Sequence, residues 1–286
     1  MKIKEYFDLY LSYIAAKGRT AKTVVEHRRF LDNILAPTIG ERDIMNLRKV
    51  DVALIEGAGR AHGEHGPSRA VVVLRRLMNY IEDRGDQIPF SWRDIQIPSI
   101  PKVPIYSLSD EEMDLIRNNL DISNMAGLRT RALIEVLCDT GLRIGEAISL
   151  NKKDINYELK EAEVVNIKTG QLQKVYFTDR SLEWIKLYLS KRKDDLEALF
   201  VSGRSRMLAC TSRNYINKYL NNIGITKRVH HHLFRKTFTT KLLNNNVNIK
   251  AAQHLARHES ERTTLRYYVA VTIEQAKSEH QRVMAG

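Results

Sequence analysis

Apolar residues recur at helical spacing through the first third of the chain. Ile3, Tyr6, Phe7, Leu9, Tyr10 and Tyr13 lie close to a stripe of period 3.6 and Gly18 marks a stop, which predicts a first amphipathic helix. Thr20 is placed to cap the next segment, T-A-K-T-V-V-E-H-R-R-F-L-D-N-I-L, which Pro37 and Gly40 close. A third helix includes Asp51 to Gly57, and a fourth runs from about Ser68 through R-A-V-V-V-L-R-R-L-M-N-Y-I-E. The pattern breaks at I-P-S-I-P-K-V-P, Ile97 to Pro104, where three prolines remove backbone donors and push the residues before them extended. This stretch reads as a linker.

Beyond it, S-L-S-D-E-E-M-D-L-I opens a helix with Ser109 as cap, and the acids of its first turn complement the helix dipole. In T-R-A-L-I-E-V-L-C-D-T-G-L-R-I-G-E-A-I-S-L, Gly141 allows a turn and Arg143 opens the next helix beside Glu146. From Asp154 the period changes to two. E-A-E-V-V-N-I-K and G-Q-L-Q-K-V-Y-F-T alternate and favour β-branched residues, which predicts a small antiparallel hairpin turning at Lys168-Thr169-Gly170. Helices resume with S-L-E-W-I-K-L-Y-L-S-K-R-K, A-L-F-V-S is a short extended piece, and T-S-R-N-Y-I-N-K-Y-L-N-N-I-G is a helix capped by Thr211 or Ser212 and ended by Gly224. The tail T-I-E-Q-A-K-S-E-H-Q-R-V-M is a last amphipathic helix. The expected class is mainly α: a helical bundle over residues 1–98, a linker over 99–106, and a mixed, mostly helical domain over 107–286 with a small antiparallel β-sheet.

Charge narrows the choice of partner. Lys plus Arg outnumber Asp plus Glu by 46 to 34 over 286 residues, a net charge of +12 and a pI near 9.6, which suits a polyanion or an anionic membrane surface. Its distribution says more than its total: between Glu197 and Glu259 there is no acidic residue, whereas residues 201–250 hold ten Lys and Arg. A one-sign tract inside predicted helices points to a phosphate-facing surface. Cys138 and Cys210 imply structural thiols rather than a disulfide framework. No window approaches 18 consecutive apolar residues and M-K-I-K-E-Y-F-D lacks a signal-peptide core, so an intracellular, cytoplasmic protein associated with the nucleoid is expected.

The chemistry gathers in the stretch from His230 to Tyr268. His232, Arg235, His258 and Tyr267, with Arg143 and Lys168 from upstream, form a set suited to a phosphodiester. An arginine fork donates two parallel hydrogen bonds to non-bridging oxygens and stays protonated, so Arg143 and Arg235 together can do electrostatically what a metal pair does elsewhere. A tyrosine among such cations ionises more easily than its reference pKa of about 10 suggests and can attack phosphorus. A lysine on the hairpin, Lys168, can protonate the departing sugar oxygen, with Lys174 as rival. The run His230, His231, His232 does not imply a metal, because neighbouring residues on a helix do not converge on one ion. Were the tyrosine to attack covalently in this way, no metal, nucleotide or other cofactor would be expected.

The segments T-G-L-R-I-G-E (Thr140 to Glu146), H-L-F-R (His232 to Arg235) and H-E-S-E-R-T-T-L-R-Y (His258 to Tyr267) resemble the motif boxes of the tyrosine recombinase, or phage integrase, family, and most of all its short Xer-like and transposon-resolvase-like members. The order Arg, Lys, His-x-x-Arg, His, Tyr is reproduced, and the spacing of nine from His258 selects Tyr267 over Tyr268. The family's Leu-Gly-His is replaced by Ala256-Arg257-His258, and the residue after the box arginine, commonly His, is Lys236. The resemblance implies a core-binding DNA-binding domain at residues 1–98 and a catalytic domain at 107–286, closing as a clamp on duplex DNA. It also implies strand cleavage and rejoining through a 3′-phosphotyrosyl intermediate, acting in integration, excision or the resolution of cointegrates or replicon dimers. Arg143, Lys168, His232, Arg235, His258 and Tyr267 take the catalytic positions. Arg69, Arg75, Arg76, Arg213, Asn214, Lys218 and Lys236 are candidate DNA contacts, Glu146 an orienting partner for an arginine. Implied partners are a double-stranded recombination site, a tetramer on two sites and, optionally, accessory DNA-bending proteins, with no membrane. A type IB-like topoisomerase and a non-catalytic helical DNA-binding regulator remain as alternatives.

Overall fold

The first apolar stripe folds as a 3-10 turn, Ile3–Tyr6, running into α1 (Phe7–Ala16), and Gly18 follows with a φ of +75° that suits a residue lacking Cβ. The computed structural model describes residues 1–99, 107–166, 170–220, 223, 229–265, 267 and 273–284. By its contacts the chain divides into two units, Met1–Val103 and Pro104–Gly286. Most of the expected linker, 100–106, lies outside the described residues.

In the first unit the buried face of the opening helix is Ile3, Tyr6, Phe7, Tyr10, Leu11 and Ile14. Leu9, expected on this face, is 41% exposed. Two residues on from Phe7 is about 200° around a helix, so the 3-4-3 rhythm selects Leu11 and Ile14 instead. Thr20 caps α2 (Ala21–Phe30) by accepting the Thr23 N–H at 3.3 Å. Its continuation is a π-helix, Leu31–Gly40, that passes through Pro37 and ends only at Gly40. Thr38 Oγ1 donates to the Ile34 carbonyl at 2.6 Å in the same turn. α3 (Asp51–Gly59) and α4 (Gly66–Asp83) complete the bundle, whose core joins Tyr10, Leu35 and Ile55 to Leu74, Leu77 and Ile81.

The second unit is built on α6 (Met125–Thr140), which buries Leu128, Ala132, Leu133, Val136 and Leu137 and has neighbours on several sides. Before it, α5 (Asp110–Asn119) begins with a reciprocal cap. Ser109 Oγ accepts from the Glu112 N–H at 3.1 Å, and Glu112 Oε2 from the Ser109 N–H at 2.8 Å. Gly141 ends α6 at φ +58°, where a Cβ would lie 2.3 Å from the Phe238 ring, so no other residue fits this corner. Arg143 then opens α7 (Ile144–Ser149).

The expected hairpin is β2 (Glu161–Val165) against β3 (Leu172–Tyr176), antiparallel with Ala162 opposite Val175. A short β1 (Ile155–Asn156), not foreseen, adds a third strand beside β2. α8 (Asp179–Ser190) packs on α6, and the extended piece is β4 (Val201–Ser202), turned back on β5 (Ser205–Arg206). α9 (Ala209–Leu220) begins before its expected caps. Thr211 and Ser212 lie inside it, because the Ser212 hydroxyl is engaged 2.8 Å from His231 Nε2, and Gly224 lies outside the described residues. α10 (His231–Asn244), α11 (Ile249–Ala256), α12 (Glu261–Leu265) and α13 (Ile273–Met284) follow. Among the described residues no helix is long and apolar enough to cross a membrane.

Candidate active site

The corner after α6 carries the first component. Arg143 is the residue before α7, and its guanidinium Nη1 donates to Glu146 Oε1 at 2.8 Å while its backbone N–H donates to Glu146 Oε2 at 2.8 Å. Glu146 is 1% exposed and Arg143 keeps 28% of its side chain in solvent, so the arginine is anchored at one nitrogen and open along the rest of its fork.

Arg235 reaches the same corner from α10. It is 5% exposed, and its guanidinium donates to backbone carbonyls: Nη1 to Gly141 at 2.5 Å, Nη2 to Ala256 and, at 3.5 Å, to Arg257. A buried cation held by carbonyls and faced by other cations is poorly compensated. Burial, and then the charges of Arg143 and Arg257, push Arg235 down to about 10, still cationic at neutral pH. Arg257 donates to the Thr140 carbonyl at 3.1 Å, the Gly141 carbonyl at 3.2 Å and Glu146 Oε2 at 3.3 Å. Arg143 and Arg257 thus share the buried carboxylate of Glu146 while Arg235 lies beside them on carbonyls, so the cluster carries more positive than negative charge and suits an anionic substrate.

Arg257 is also where the backbone turns, with φ 51° and ψ 47° after the end of α11. Left-handed backbone costs an arginine about 1 kcal/mol that glycine would not lose, and its three side-chain bonds offset it. The turn delivers His258, whose Nδ1 is 2.9 Å from Thr264 Oγ1 and whose ring stacks on Tyr267 with centroids 5.7 Å apart and planes 16° from parallel. Tyr267 is half-buried, and it acts electrostatically on Arg235. Burial, and then Arg235, Arg143 and Arg257, push His258 down to about 4, so it is neutral at working pH.

The three consecutive histidines diverge. His231 is buried against Ser212 and pushed down to about 4, first by burial, whereas His232 is exposed and, through desolvation and then Arg235, Arg143 and Lys236, is held below its ordinary value. Lys168 lies outside the described residues, and its rival Lys174 is tied to Glu161 at 2.6 Å on the hairpin. Of the expected catalytic positions, Arg143, Arg235, His258 and Tyr267 fall into one cluster, with His232 one turn before Arg235 on α10. The contribution of Arg257 was the part not foreseen, although the exchange of glycine for a charge before His258 was its visible signal.

The expected nucleic-acid contacts fall in both units. On α9, Arg213, Asn214 and Lys218 are exposed, and Lys236 is half-buried on α10. Other cations of the acid-free tract are engaged in the fold: Arg206 donates to the carbonyls of Ile148, Ser149 and Leu150, and Lys241 pairs with Asp110. In the first unit Arg69 and Arg76 are exposed and Arg75 is half-buried on α4. Arg75 and Arg76 line a cleft of about 810 Å³ together with Lys17, Arg19 and Trp92. Arg76 Nη1 donates to His27 Nε2 at 3.1 Å, and because a guanidinium only donates, the His27 proton sits on Nδ1, 2.7 Å from the Tyr10 hydroxyl. Burial and then Arg76 hold His27 below its ordinary pKa, so it stays neutral and the cleft keeps its arginine charges.

Residues 107–275 match the profile of the phage integrase family. The chain is 24% identical over 279 residues to the tyrosine recombinase XerC of Oceanobacillus iheyensis, covering 93% of this chain and 92% of that protein. It is 29% identical over 286 residues to the tyrosine recombinase XerA of Thermococcus onnurineus, covering 98% and 95%. Among solved structures it is similar to the Tn1549 transposon integrase in complex with transposon right end DNA, with a TM-score of 0.81, 20% identity and coverage of 99% and 100%. A lambda integrase dimer bound to a COC′ core site gives a TM-score of 0.77 at 18% identity, covering 96% and 97%.

Proposed function

The chain belongs to the phage integrase family and is a site-specific tyrosine recombinase, and from that premise we propose that Tyr267 is its nucleophile. As the Tyr267 oxygen attacks phosphorus its phenolic proton passes to solvent, the bond from phosphorus to the 5′ oxygen breaks, and the strand is left joined to Tyr267 through a 3′-phosphate. Arg143 and Arg235 clamp the non-bridging oxygens, Lys168 gives a proton to the leaving 5′ oxygen, and His232 and His258 assist. Attack by a 5′ hydroxyl on the phosphotyrosyl bond reverses these steps and rejoins a strand, so the bond energy is conserved without a nucleotide. The observation that carries this reading is two guanidinium groups on one buried carboxylate and a third, Arg235, buried on the carbonyls of the same corner, beside a tyrosine stacked on a neutral histidine.

In the same proposal residues 1–98 are a core-binding domain, 99–106 a linker and 107–286 the catalytic domain. Arg69, Arg75, Arg76, Arg213, Asn214, Lys218 and Lys236 contact a double-stranded recombination site. Four protomers on two sites exchange strands, a reading supported by the similar fold of a lambda integrase tetramer bound to a Holliday junction, with accessory DNA-bending proteins as helpers and the nucleoid as the place of action. The recombinase relatives do not favour a single-duplex topoisomerase or a non-catalytic regulator. A nicked duplex that loses its short 5′ fragment on cleavage traps the intermediate. The wild-type protein is expected to give a covalent band on a denaturing gel, and Tyr267→Phe to bind the same duplex with no band. A band from Tyr267→Phe overturns the assignment.

A further inference from the structure

Arg257 and Arg235 bridge one gap from opposite sides. Arg235, on α10, donates to the Gly141 carbonyl of the α6–α7 corner and to the Ala256 and Arg257 carbonyls of the turn after α11. Arg257 belongs to that turn and donates back to the Thr140 and Gly141 carbonyls of the corner. Its fork also takes Glu146 Oε2 at 3.3 Å, beside the Arg143 N–H. This sharing matters for Arg143. A carboxylate facing a single guanidinium draws it into a two-point, fork-to-fork pair; here one oxygen is occupied by Arg257 and a backbone N–H, and Arg143 is held through Nη1 alone. The rest of its fork stays available to a phosphate.

We propose that Arg257 is a positioning residue for the cleavage step: it keeps Arg143 singly anchored and locks the corner to the turn that presents His258 and Tyr267. The proposal rests on the reading of Tyr267 as nucleophile. Its residue type supports it, since an arginine at φ 51° gives up backbone ease that glycine would have, and 4% exposure leaves it no role in contacting bulk solvent.

The test compares wild-type protein, Arg257→Gly and Arg257→Lys, each as the full chain, on the nicked duplex. Duplex affinity, the single-turnover rate of covalent band formation and the melting temperature are measured together. Arg257→Gly suits the backbone and removes the bridge; Arg257→Lys keeps the charge without the fork. Expected are duplex affinities within about threefold of wild type, melting temperatures close to it, and cleavage slowed on the order of tenfold to a hundredfold in Arg257→Gly, with Arg257→Lys between. Cleavage at the wild-type rate in both variants overturns the proposal, as does a slowing that merely tracks lost folding or lost binding. A wild-type protein that forms no band, or a band retained by Tyr267→Phe, overturns the nucleophile assignment and this proposal with it.

Discussion

At the scale of single residues the site is organised by charge without a matching countercharge. Arg235 is buried on carbonyls, and the neutral His258 beside it avoids adding another cation. His231, next to the site but outside it, shows the same desolvation as a stability effect. Its ordinary value of 6.5 falls to about 4, so between those limits the unfolded chain binds a proton that the folded chain refuses, and stability falls as pH falls. From pH 7 to pH 5 this loss amounts to about 2 kcal/mol at 1.36 kcal/mol per unit. Urea unfolding is expected to show His231→Gln losing less stability than wild type over that interval, and equal losses would contradict the assignment. These roles were unevenly legible. Tyr267 and the two box arginines stand at spacings that match the motif boxes of the resembled family, whereas Arg257 became meaningful only when the fold brought Thr140 and Gly141 to it across 117 and 116 positions.

At the scale of elements the period of apolar residues found the helices, and caps found many of their starts. Thr20 and Ser109 hold where they were expected. Departures came where a side chain had another partner or a short element had no pattern. Ser212 bonds His231 rather than capping α9, and the two-residue β1 is too short to alternate. The acid-free tract likewise divides by element. Arg206 closes the end of α7, Arg235 enters the core, and α9 presents Arg213 and Lys218 to solvent. If α9 faces phosphates, Arg213→Ala with Lys218→Ala should reduce the slope of log affinity against log salt by about 2, one for each cation lost. An unchanged slope in a salt titration of duplex binding would place these side chains away from DNA.

At the scale of the whole molecule, two units with separate cores carry a net charge of +12 and one cluster whose cations exceed its acids. The family profile spans residues 107–275, the part that holds every catalytic position proposed above, while relatives matched over most of their length carry the likeness through the first unit. The central claim is that these charges serve a covalent exchange at one tyrosine. Trapping the wild-type adduct on a nicked duplex, digesting it to peptides and locating the attached nucleotide by mass spectrometry tests that claim directly. The nucleotide is expected on Tyr267, joined through its 3′-phosphate, with Tyr268 unmodified. A nucleotide on any other residue, or one joined through a 5′-phosphate, would contradict the account.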